Sequence, residues 1–217
     1  MYDENGTELA KFKDLIYAYK AAISPRGDIF VVKSTDGRLA VYSLEARSLI
    51  KKFRFSKVNG AQDDNFCFSP DGERFYNIER HNTSCETAIS IYRTGDFSLE
   101  MRLFPDDPNT VFSAIECDDV TNSYYILGFI RPSSENPEPK HYAAKLGDEG
   151  LKDIEYISEN EYHYYDGYKA LERDGFIGKA KGHLPGLEPE GDDPEELDSR
   201  KHSLAKLWNY YHTVRNS

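Results

Sequence analysis

The 217 residues carry 27 Lys and Arg against 38 Asp and Glu, a formal charge of −11. Such a balance repels a phosphate backbone and excludes general nucleic-acid binding. Aromatic residues are 13% of the chain, with 16 tyrosines, which is too much ring for a disordered acidic tail.

In chain order, the opening stretch YDENGTELAKF holds no apolar core of signal length, and no later apolar run is long enough to span a bilayer. Three cysteines without a CxxC pair fit a reducing compartment, so the expected location is cytoplasmic. Tyr2, Leu9 and Phe12 echo the spacing of Tyr42, Leu49 and Phe53, and mark the segment as the closing half of a repeat unit. The first full unit holds Ser24-Pro25-Arg26-Gly27-Asp28, the run IFVVKS, the turn Thr35-Asp36-Gly37, then RLAVYSL and SLIKKFRF. The second holds Ser69-Pro70-Asp71-Gly72-Glu73, RFYNIER, an insertion HNTSCE, TAISIYRT and SLEMRLF. A weaker third unit is spread over VFSAIECDDVTNSYYILGFI and KHYAAKLGDEGLKDIEYI. Pro-x-Gly and Asp-Gly supply the positive φ of tight strand connections, and alternation between the turns predicts half-buried strands.

About three and a half units of four short strands result. A four-stranded unit cannot bury both faces alone, and radial stacking of such units gives a propeller. The Ser-Pro-Asp-Gly turn before a strand, and strands ending in Val41-Tyr42 or Ile91-Tyr92, resemble blades of the WD-repeat and YVTN-type propeller superfamily over about residues 2–157. The Trp-Asp dipeptide of a WD repeat is replaced by Tyr42-Ser43 and Tyr92-Arg93, and its Gly-His pair is missing. The expected fold is mainly β and propeller-like, with a C-terminal helical extension. A sandwich shares strand spacing of this kind and stays open at this point. The shortfall in units leaves four outcomes: closure by both chain ends, association of two chains, an edge covered by the C-terminal segment, or a piece of a longer protein.

Past Asn160 the pattern turns helical, which divides the chain into a β domain over 1–160 and a helical segment over 161–217 packed on it. Asp166 and Asp193 suit N-caps, Pro194 suits a first helical residue, and Leu197, Leu204, Leu207, Trp208, Tyr211 and Val214 form one apolar stripe. Buried against its own sheets, the stripe is structural; offered to a groove, it is a binding helix.

No GxSxG elbow, phosphate-cradling loop or HExxH occurs, and the six histidines lack metal-ligand spacing. No catalytic residue, cofactor or metal is therefore assigned. Glu161 and His163 share a strand face if EYHYY is extended, which is thin support for catalysis. The paired acids at Asp63, Asp106, Asp118 and Asp192 read as turns and caps. The basic-aromatic run KKFRF gives Lys52, Phe53, Arg54 and Phe55 as partner-binding candidates, beside Trp208 and Tyr211 on the helix, although positive charge also protects edge strands. The expected function is a non-enzymatic protein–protein interaction module, an acidic binding protein, with a dedicated inhibitor or immunity protein for a basic partner among its forms. Homo-oligomerisation to complete or cover the sheets is a further expectation. The alternative is a lactonase-type hydrolase with a central-channel site, which the YVTN-type resemblance implies and for which the first strands of the units offer Lys20, Asn65 and Glu116.

Overall fold

The computed structural model describes residues 1–34, 38–54, 66–80, 86–134, 136–163, 165 and 203–216, with side chains left aside at 19, 53, 54, 80 and 214–216. The turn Thr35–Gly37, Phe55, Asn65, the insertion over 81–85 and the proposed helix starts at Asp166 and Asp193 lie outside the described residues.

Among the described residues, twelve strands form three four-stranded antiparallel meanders. The first sheet holds β1 (Ala18–Ile23), β2 (Ile29–Ser34), β3 (Arg38–Ser43) and β4 (Ser48–Arg54). The second holds β5 (Phe66–Phe68), β6 (Arg74–Arg80), β7 (Thr87–Arg93) and β8 (Leu99–Leu103). The third holds β9 (Thr110–Asp118), β10 (Ser123–Ile130), β11 (Lys140–Leu146) and β12 (Leu151–Ile157). The strand content is mainly β and the architecture is propeller-like.

The burial of each strand follows from its place in the stack. The third strands β3, β7 and β11 are covered on both faces and read as near-continuous apolar runs, whereas β8 and β12 are largely exposed. The repeat is reproduced in its hydrogen bonds. Ser24 N donates to Ile29 O and Gly27 N to Ser24 O; Ser69 N donates to Arg74 O and Gly72 N to Ser69 O, all at 2.8–2.9 Å. Gly27 and Gly72 both sit at positive φ, 69° and 70°. A Cβ on Gly72 would also lie 2.9 Å from Arg26 Cγ, so the second turn is glycine where the first turn rests against it. In each of the first two sheets the ladder shifts register at the repeat tyrosine, between Val41 and Tyr42 and between Ile91 and Tyr92.

Two seams join the sheets. Ile29, Val31, Leu39 and Val41 of the first sheet meet Phe66, Phe68, Phe75, Tyr92 and Phe97 of the second. Tyr76, Ile78, Ile89, Ile91 and Leu103 then meet Phe112, Ile126, Tyr142 and Ala144 of the third. In this second seam a Cβ on Gly128 would collide with Val111 O and the Tyr142 hydroxyl, so only glycine fits there.

Segments of the chain outside the three sheets pack on both outward faces. Residues 1–14 form no strand pair of a blade; they make one bridge, Tyr2 to Glu8, and lay Phe12 against Phe30 and Tyr42 with ring centroids 4.8 and 4.7 Å away. The expected leading half-unit is thus a strap with one aromatic anchor, because its Gly6 turn closes a local loop instead of a ladder. On the far side the C-terminal helix, Leu204–Asn216, packs Leu204, Leu207 and Trp208 onto Ala114, Tyr125, Leu127, Ala143 and Ile157 of the third sheet. The stretch 159–163 is helical, so Glu161 and His163 do not share a strand face; His163 pairs instead with Glu159 one turn away at 3.5 Å.

Candidate functional site

The first strands of the three sheets are β1, β5 and β9, and among the described residues Lys20 and Glu116 are engaged by the fold. The Lys20 ammonium lies 4.9 Å from the Phe66 ring centroid, and Glu116 Oε2 accepts a 2.7 Å hydrogen bond from Leu204 N. Glu116 therefore caps the C-terminal helix, a charge at the helix N-terminus where the macrodipole favours it. Asn65 lies outside the described residues. Among the described residues no group of three His, Cys, Asp or Glu could hold a metal.

Cys67 and Cys117 are half-buried free thiols. Burial pushes the Cys67 thiol well up, and the same effect raises Cys117 to about 11, so both stay protonated and weakly nucleophilic at neutral pH.

The other charged constellation lies in the first seam. Glu79 accepts a 2.8 Å hydrogen bond from the Tyr92 hydroxyl and a 3.1 Å ion pair from Arg102, whose Nε donates to Ser90 Oγ. Burial, then the Glu79 charge, raises the Tyr92 hydroxyl. Lys33 reaches the same seam and donates to Ile78 O at 2.7 Å. Asn77, fully buried on the same face of β6, has no partner for either amide atom among the described residues.

The partner-binding candidates separate. Lys52 donates to Asp14 O and holds the strap; Phe53 and Arg54 belong to β4, and Phe55 lies outside the described residues. Trp208 is 4% exposed, donates to Asp153 O at 2.6 Å, and lies between the Lys145 ammonium at 4.0 Å and the His212 ring at 4.3 Å. His212 in turn meets Glu155 at 2.7 Å, and the Tyr211 hydroxyl accepts from Ser158 N at 3.4 Å. The helix residues are thus gathered onto the third sheet and stand apart from the basic strand.

A feature absent from the sequence reading is a cleft of about 320 Å³ at the mouth of the second seam, beside the β5–β6 and β11–β12 turns. Its walls are Ile91, Met101, Leu103 and Leu146, with Tyr76 and Tyr124 in ring contact at 4.2 Å. On its rim Arg74 grips Glu100 through two bonds of 2.8 and 3.1 Å, which holds the Glu100 carboxyl below its ordinary value. Asp148 completes the rim, exposed at the β11–β12 turn. Burial keeps both tyrosine hydroxyls protonated beyond the usual range, and a hydrogen bond with Tyr76 adds to the shift at Tyr124. Met101 and Leu103 carry alternate positions of β8, a signal the sequence does contain; which sheet lies opposite them is set by the stacking. A neighbouring depression of similar volume, between the turns of the first two sheets, carries charges of both signs, Arg26, Glu73, Arg93 and Asp96 among them.

No family model matches the chain, and no curated protein matches it. Among solved structures it is similar to Kuenenia stuttgartiensis hydrazine synthase, at 12% identity and a TM-score of 0.51, over 64% of this chain and 41% of that one. It also aligns with the dihydro-heme d1 dehydrogenase NirN in complex with DHE, at 14% identity and a TM-score of 0.49, over 71% of this chain and 38% of that one. The chain thus spans well under half of either neighbour, and the likeness to hydrazine synthase is one of propeller-type fold.

Proposed function

We propose that the protein is a non-enzymatic interaction module, a cytoplasmic propeller-like binding protein of WD-repeat or YVTN-type ancestry that engages a basic protein, as an inhibitor or immunity protein would. The observation that carries this reading is the charge of −11 on a stack of sheets whose outward faces are occupied in part by the strap and the C-terminal helix, which leaves rims, turns and clefts to meet a partner. Supporting it, Glu116 at the inner edge is spent on a helix cap and the Glu79 cluster on a seam.

The test is affinity capture of the tagged full-length chain from its own cell lysate, repeated at raised salt. One near-stoichiometric basic protein, lost as salt screens the field, is the expected result. Capture that ignores salt, or none at all, would overturn the reading.

A further inference from the structure

We propose that the cleft between the second and third sheets seats a lysine or arginine side chain from an extended, apolar-flanked segment of a basic protein; the inference rests on the interaction reading above. The chemistry of the walls selects this occupant. Ile91, Met101, Leu103 and Leu146 suit the methylene stem of a long cationic side chain, and Met101 is already 44% exposed. Among the residues that line the cleft the charges sum to one negative, with the Lys152 stem beside Gly147 and Arg93 acting on Glu100 from outside the lining. Arg74 is committed to Glu100 by a bidentate pair, while Asp148 makes no ion pair or hydrogen bond among the described residues. One carboxylate is left unspent at the mouth. Tyr76 and Tyr124, held protonated, offer neutral oxygens as hydrogen-bond acceptors within the cleft. An anionic ligand would meet Asp148 and Glu100 with Arg74 already engaged, and a neutral apolar one would gain nothing from the Asp148 charge. The net charge of −11 adds a long-range field of the same sign.

The test is an amide NMR titration of the full chain with acetyl-Leu-Arg-Leu-amide, against the charge-reversed acetyl-Leu-Glu-Leu-amide. Saturable shifts at Ile91, Met101, Leu103, Tyr124 and Asp148 with the arginine peptide alone are expected. Asp148→Lys, on an exposed turn and so without a folding cost, should weaken that binding at least about fivefold, as reversal of a rim charge does. Unsaturable shifts, equal shifts from the glutamate peptide, or the same shifts produced by raising the protein concentration alone (a second copy in the cleft) each overturn the proposal. Salt-sensitive capture of a basic protein that persists undiminished in Asp148→Lys overturns the cleft as its seat and leaves the interaction reading standing. Failure of capture by the unaltered chain overturns that reading, and the peptide titration then decides the cleft by itself.

Discussion

The two seams are built from the same repeat and solve the same packing problem with different chemistry. The first takes charged and polar side chains into the stack: Lys33, Asn77, Glu79, Ser90 and Tyr92 are all buried there. The second is lined by Ile78, Ile89, Ile126, Tyr142 and other apolar groups, with the buried Thr87 hydroxyl accepting from Phe112 N, and its charged chemistry lies at the mouth, around Arg74, Glu100 and Asp148. The adjacent residues Ile78 and Glu79 show how cheaply the sequence makes the difference. Alternation along β6 sends one to each seam. A polar seam demands specific partners and so fixes how two sheets meet; an apolar seam tolerates more adjustment and keeps its charges free for solvent or a ligand.

Four measurements would break or sharpen this contrast. The largest effect is expected from Glu79→Ala, which strands Arg102 and the Tyr92 hydroxyl; urea denaturation should show a loss of about 3 kcal/mol, as for removal of one partner of a buried pair. A loss under about 1 kcal/mol would mean the first seam does not depend on its charges. Next, Asn77→Val removes two unsatisfied buried amide atoms and should raise stability by about 1–2 kcal/mol, a gain that a destabilised variant would refute. In the apolar seam Ile78→Val deletes one methylene and should cost about 1 kcal/mol, with the unfolding slope unchanged. A value near that for Glu79→Ala would erase the contrast.

The smallest effect concerns pH and lies beyond both seams. Burial lowers the pKa of His141, against the opposing field of Glu159, so the folded chain binds this proton less readily than the unfolded chain does. Its contribution is fully present above the unfolded value near 6.5 and is lost as pH falls from there through the lower folded value. His141→Gln should flatten the stability profile in that acidic window and leave it unchanged above pH 7. A profile identical to that of the unaltered chain would show that burial leaves this ring's titration unchanged on folding.

Much of the stack was legible in the sequence because turn chemistry is local. Ser24–Asp28 and Ser69–Glu73 announce their turns by composition, and the strands between them by alternation. The propeller-like fold follows from units that cannot bury themselves. The leading half-unit misled, since the Tyr2, Leu9 and Phe12 spacing records which residues face inward and not what they pair with. The pairing of Glu161 with His163 on one face holds only if EYHYY is extended, and the helical turn over 159–163 removes that condition, in keeping with the change of pattern past Asn160. Of the cleft only the Met101 and Leu103 alternation is legible in the sequence. The walls come from β6, β7, β8, β10 and the β11–β12 turn, and only the stacking of two sheets brings them together. Glu116 is legible as a polar residue of a first strand, yet its bond to Leu204, 88 residues later, is a tertiary fact that no local pattern encodes.

The helix seam has an optical consequence. Trp208 is the only tryptophan in the chain, and it lies stacked on an imidazole on one side with an ammonium over the other. Indole emission therefore reports a single place, the contact between the C-terminal helix and the third sheet, and a protonated His212 should quench it. A melt followed by fluorescence watches that contact, while circular dichroism watches all twelve strands. If the two traces diverge, the helix lets go before the sheets do, and the covered face of the third sheet becomes available while the stack is still folded.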